Sequence, residues 1–253
     1  MLDQGPRRWK TFDLTSQAFA IILTHWKPLL LVLAPIYLLQ WGIMHFVEGL
    51  VGQSIGAITA QDMLGFLVFW AAALAILMVW SIGGTCLAVL WHRLVLRPSA
   101  VWPPFSALGW YLWEAFKLTV LLAVLSWIVL AGFGLAFSHW SSSFFGFLWA
   151  ASLAFSAAFT WLWIRLGLVL PAAALGNKDM TLVTSWFETE GGEWSIFILA
   201  LVQGAMWLAI TEIGYWSNWG AAELFLTPLP VLLGLAALSV LYRDLETRTA
   251  GDE

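Results

Sequence analysis

Charge is the scarcest property of this chain. Its 253 residues include 11 Lys and Arg and 15 Asp and Glu, so only 10% of positions are charged, against about 25% in an ordinary soluble domain. So few charges cannot cover the surface of a soluble fold of this length. The shortage excludes a soluble globular domain, a disordered chain and a nucleic-acid-binding module, each of which needs polar or basic surface. Cysteine is nearly absent too. The single Cys86 excludes an internal disulfide and a multi-cysteine metal site; within its apolar run it reads as a small buried residue or as a reactive thiol. What abounds is apolar: 61% of the chain is hydrophobic, with 19 Trp and 17 Phe, and the mean hydropathy is +0.85. The expected fold class is an all-α integral membrane protein.

A hydrocarbon core of ~30 Å takes about 20 apolar residues as a helix. Windows without Asp, Glu, Lys or Arg run from Pro28 to Val47, Met63 to His92, Leu118 to Ile164, Trp194 to Thr211 and Leu224 to Tyr242. The third is long enough for two spans, with a turn at His139-Trp140-Ser141-Ser142-Ser143. Six transmembrane helices are therefore expected, about 28–48, 63–92, 113–136, 145–168, 194–215 and 222–242. The runs lack the alternation of barrel strands, and backbone groups in lipid must be satisfied within the segment. Residues 1–12 and 243–253 are expected as cytoplasmic flanks of one membrane domain, 13–242.

Placing the N-terminus in the cytoplasm puts every Lys and Arg on that side or in the inner ends of spans. The outer loops, near 49–62, 137–143 and 216–223, carry none. This is the positive-inside pattern without an exception, and both termini are expected in the cytoplasm. Arg7-Arg8-Trp9 reads as part of that inner flank, not a cleaved leader, because Thr24, His25 and Lys27 interrupt the following apolar run.

Residues 13–27 predict an amphipathic helix in the inner interface. Leu14, Ala18, Phe19, Ile22 and Trp26 recur at helical spacing, and Asp13 can cap the start. The same pattern predicts a second interfacial helix over about 179–190, from Asn177-Lys178-Asp179 to Gly191-Gly192, and a shorter one between Pro98 and Gly109. Trp91-His92-Arg93-Leu94-Val95-Leu96 and Trp163-Ile164-Arg165-Leu166-Gly167-Leu168 share Trp-x-Arg-Leu-x-Leu. Two readings stand: three repeated helix-hairpin units, or Trp and Arg marking the inner interface twice. Gly146, Ala150, Ala154 and Ala158 form a small-residue stripe suited to close helix packing, and Gly83-Gly84 is the place for a bend in the long second span.

No catalytic motif is present among the Ser, His, Glu and Gly patterns of hydrolases, metalloproteases or nucleotide-binding loops. No catalytic residue, haem, metal or other cofactor is expected; His25, His45, His92 and His139 read as interfacial. Glu114 and Lys117 open the third span and Arg165 lies near the inner end of the fourth. They form a candidate polar cluster, with a Glu114–Arg165 ion pair, or they are interfacial residues that snorkel. On the outer side Glu48 and Glu212 read as helix caps or as carboxylates for a cation or proton. Lys10, Lys27, Arg93, Arg97 and Lys178 make a cytoplasmic basic rim.

Arg165 and Pro171, the Ser185-Trp186 amphipathic helix, Gly191-Gly192-x-Trp194 and the closing Leu241-Tyr242-Arg243-Asp244-Leu245-Glu246 together resemble a bacterial six-span family. It is the membrane domain of glycerophosphoryl diester phosphodiesterases, with its stand-alone relatives. The family ending reads Tyr-Asp-Leu-Arg, from which Arg243 and Glu246 depart. In fused members a soluble barrel does the hydrolysis, so the resemblance implies the membrane architecture and carries over no catalytic residue. The expected function is a non-catalytic scaffold or accessory subunit that engages membrane partners or anionic lipid of the cytoplasmic leaflet. A transporter or channel for small solutes or lipids, or a membrane-embedded lipid enzyme, is the alternative.

Overall fold

The computed structural model describes residues 12–28, 63–137, 145–217 and 226–251, with scattered positions between 30 and 45. Among them the regular structure is helical, without strands. Helix α1 spans Asp13–Thr24, α2 Met63–Leu96 and α3 Phe105–Phe137, with a 3-10 turn at Pro98–Ala100 between the last two. Then come α4 (Phe145–Leu166), α5 (Val169–Leu175), α6 (Leu182–Glu188), α7 (Glu193–Ser217) and α8 (Pro228–Gly251). The first span, residues 1–12, the outer loops, Lys10, Glu48 and His139 lie wholly or mostly outside the described residues.

Three described helical stretches are long and apolar enough to cross a membrane: Phe105–Val129 of α3, Glu193–Gly214 of α7 and Pro228–Ala250 of α8. A fourth arises if α4 and α5, which meet at a bend of 40°, count as one broken span. Hydrophobic side chains such as Leu121, Val124, Trp127 and Ile128 lie on the outside of α3. In water such a surface would be a large apolar patch; in lipid it meets its own kind.

Short α5 sits at the centre, buried from Val169 through Ala174 and packed against α3, α2 and α8. It ends at Gly176, whose φ of 83° is in the left-handed region that glycine adopts without strain. Helix α4 packs along α7, and the approach is close: a Cβ at Gly204 would lie 3.3 Å from Ser156 Oγ and 3.5 Å from the Ala157 nitrogen.

Several expectations need correction. The small-residue stripe is not this contact face. Ala154 and Ala158 are exposed, and burial falls on Ala157, Thr160 and Ile164, a neighbouring face of the same helix. Helix α2 runs without interruption from Met63 to Leu96, through Gly83-Gly84. Asp13 is not the cap of α1. Phe12 holds that position without a side-chain bond, and Asp13 lies in the first turn, where a carboxylate favours the helix dipole. The buried face of α1 is Leu14, Thr15, Ala18 and Ile21. It packs mainly on α8, while Phe19, Leu23 and Trp26 are exposed. Helix α6 is shorter than 179–190 because Asn177 Oδ1 takes the Asp179 N–H at 2.9 Å in a local turn. The cap is Thr181, which accepts from the Thr184 N–H at 3.1 Å. The region 98–109 forms the 3-10 turn, and α3 starts at Phe105, eight residues before the expected span. Residues 243–251 continue α8 as helix, with an Asp244–Arg248 pair one turn apart.

Candidate functional site

The bend between α4 and α5 is built around Gly167. Its N–H bonds to the Ile164 carbonyl at 3.3 Å, and its own carbonyl accepts from the Leu170 N–H at 2.9 Å, both tight three-residue bonds. No side chain fits there, since a Cβ would lie 2.5 Å from the Trp163 carbonyl oxygen and 3.0 Å from Leu238. The break takes the Arg165 carbonyl and the Leu168 N–H out of the regular helix ladder. Ser185, fully buried on α6, satisfies both: its hydroxyl donates to the Arg165 carbonyl at 2.7 Å and accepts from the Leu168 N–H at 3.1 Å.

The Arg165 side chain closes the same joint from the other side. Its Nε donates to Thr189 Oγ1 at 3.1 Å, and Nη2 donates to the Trp186 carbonyl at 3.0 Å. The guanidinium carbon lies 3.9 Å from the Trp186 ring centroid and 5.2 Å from that of Trp161. The two indoles meet edge-on, with centroids 5.7 Å apart. Glu193 Oε1, 3.8 Å from Nη2, is its ion-pair partner. Arg165 is only 5% exposed, so these contacts stand in for water around a charge. The result is a clasp that ties helix α6 to the C-terminal end of α4.

Arg93, at the matching place in the other Trp-x-Arg-Leu-x-Leu, acts similarly. Its Nε donates to the Ala100 carbonyl at 2.8 Å and Nη1 to the Ala174 carbonyl at 3.0 Å. Both arginines therefore fasten segments that follow their helices, and Arg93 is committed to backbone, not to the basic rim. Lys27, Arg97 and Lys178 are exposed. Glu212 is half-buried in the last turns of α7.

The expected polar cluster divides in two. Glu114 pairs with Lys117 at 2.7 Å, not with Arg165. Glu114 is 2% exposed and its Oε2 has no partner, while the Lys117 side chain is 39% exposed. The Lys117 ammonium lies 6.0 Å from the Trp110 centroid and 5.9 Å from that of Trp113. Lys178, from the loop after α5, comes within 5.5 Å of the same Trp110 ring. The Trp110 Nε1 is also buried and unpartnered.

Sequence reasoning missed four positions. His92 is fully buried, with Nδ1 2.9 Å from Ser239 Oγ. Gln203 donates from Nε2 to the Pro230 carbonyl at 2.8 Å and lies so close to α8 that a Cβ at Gly234 would be 3.0 Å from it. Ser185 and Thr189 carry the clasp. Only Ser185 had a signal, in the Ser-Trp pair. Among the described residues no group of three His, Cys, Asp or Glu could hold a metal ion. No family model matches this chain, and comparison with curated proteins and with solved structures finds no match.

Proposed function

We propose that this protein is a non-catalytic, multi-pass scaffold or accessory subunit of a bacterial inner membrane. It engages anionic lipid or a membrane partner at its cytoplasmic face. The proposal includes six spans, both termini in the cytoplasm, the repeated helix-hairpin units and kinship with the glycerophosphoryl diester phosphodiesterase membrane domain. The observation that carries it is the clasp. Arg165, Ser185 and Thr189 hold α6 rigidly, while Val183, Phe187 and nearby Trp194 stay exposed. An apolar face fixed at a span's inner end suits insertion into a headgroup layer. Exposed Lys27, Arg97 and Lys178 add attraction to anionic headgroups, about 1 kcal/mol each near the surface.

The transporter reading draws support from the broken span, since broken helices line transport sites. Here Ser185 occupies the backbone groups that a substrate would use, which favours the scaffold. The test is reconstitution in vesicles with and without anionic lipid, reading thermal stability and solute flux. Stabilisation by anionic lipid without flux is the expected result. Specific flux that is lost on substituting Glu114 or Glu212 overturns the scaffold in favour of a transporter.

A further inference from the structure

Helix α3 has 33 residues and is ~50 Å long at 1.5 Å per residue, far more than the ~30 Å hydrocarbon core. Its charge-free stretch from Leu118 to Phe137 fills that core. Trp110, Glu114 and Lys117 are then left at headgroup depth. On this segment two buried polar atoms lack partners one turn apart: the Trp110 Nε1 donor and the Glu114 Oε2 acceptor. Lys117 and Lys178 flank the same indole. Lys117 neutralises Glu114, so exposed Lys178, which makes no ion pair among the described residues, leaves the group with one net positive charge. Phe116, Val120 and Val124 continue outward along α3 as exposed apolar side chains.

We infer that Trp110, Glu114, Lys117 and Lys178 form a binding site for an anionic phospholipid whose headgroup carries a free hydroxyl. This rests on the lipid-engaging reading above and deepens it. The phosphate meets Lys178 and Lys117, and the acyl chains lie along the exposed apolar side of α3. A hydroxyl satisfies both orphaned atoms, since it donates to the carboxylate and accepts from the indole N–H. A second phosphate charge or a serine carboxylate is repelled by Glu114. An ammonium headgroup satisfies the carboxylate but cannot accept from the indole, and it faces two lysines. Lys117 covers the carboxylate in this structure and swings to the phosphate as the lipid enters.

The test uses the full chain in a neutral detergent, titrated with phosphatidylglycerol, phosphatidic acid or phosphatidylethanolamine. Bound lipid is read by native mass spectrometry and stability by the thermal midpoint. Phosphatidylglycerol is expected to bind at least about tenfold tighter than phosphatidic acid, the smallest effect of one hydrogen bond to a charged group. Glu114→Gln should erase that preference. Lys178→Ala, at an exposed position, should weaken both anionic lipids about fivefold. Equal binding of the two anionic lipids, or preference for phosphatidylethanolamine, overturns the site. Stabilisation by both anionic lipids alike would still leave the general lipid-engaging reading standing, whereas no stabilisation by either sinks that reading too. Displacement of the lipid by inorganic phosphate assigns the site to a soluble anion and overturns the lipid.

Discussion

At the scale of single residues, the clasp is the feature with the sharpest consequences. Ser185→Ala removes the partners of the Arg165 carbonyl and the Leu168 N–H at once. Each buried group left unsatisfied costs about 1–3 kcal/mol, so thermal unfolding in detergent should drop by several degrees. An unchanged midpoint would show that the hydroxyl carries no weight there. Arg165→Ala and Thr189→Ala touch one bond and should be non-additive. Arg165→Ala and Glu114→Ala share no contact and should add to within about 0.5 kcal/mol; coupling larger than that contradicts the two-cluster arrangement. Sequence alone marks both Glu114 and Arg165 as ionisable groups at membrane depth but pairs them wrongly. Depth along a span is legible from residue number, whereas azimuth around the bundle is not. The true partners of Arg165 also include uncharged groups, a threonine hydroxyl and a tryptophan carbonyl, that no charge pattern reveals.

At the scale of elements, hydropathy places the long helices and misses what happens where they end. The expected spans at 63–92, 145–168 and 194–215 fall on α2, α4 and α7 within a few residues. The bend at Gly167 escapes because Gly-Leu in an apolar run looks like any other pair in lipid. The space that a side chain there would need is taken by the Trp163 carbonyl and by Leu238, 71 residues away in sequence. Gly167→Ala forces a Cβ to 2.5 Å from the Trp163 carbonyl, and overpacking of this kind costs about 1–3 kcal/mol or more. Cα positions of α5 should shift, and the bundle should unfold at lower temperature. The same substitution at Gly84, where a Cβ meets nothing within 4 Å, should be neutral or stabilising, as expected for Gly to Ala inside a helix. A loss at Gly84 as large as that at Gly167 would mean that the bend plays no special part. Helix α1 teaches a related point. Periodicity identifies its apolar residues correctly, but an apolar face can meet lipid or protein, and only packing shows that Leu14 and Ala18 belong to α8.

At the scale of the molecule, three contacts gather one set of helix ends together. Arg93 joins the end of α2 to Ala174 at the end of α5. Arg165 joins α4 to α6, and Asn177 Nδ2 donates to the Tyr242 hydroxyl of α8 at 3.3 Å. Arg93, Arg97, Arg165, Lys178, Arg243 and Arg248 therefore share one end of the bundle. The basic-residue rule, applied to sequence with no knowledge of contacts, assigns these same residues to a single side. The side of the membrane is a proposal from electrostatics alone and is open to a direct measurement. In a Cys86→Ser background, Asn177→Cys and Arg243→Cys should resist an impermeant thiol reagent applied to intact cells and react once the membrane is opened. Ser142→Cys and Asn218→Cys should react from outside. Full reversal would invert the orientation and leave the fold intact. Asn177 and Arg243 labelling from opposite sides would break the Asn177–Tyr242 contact, and with it the docking of α8 beside the loop that carries Lys178.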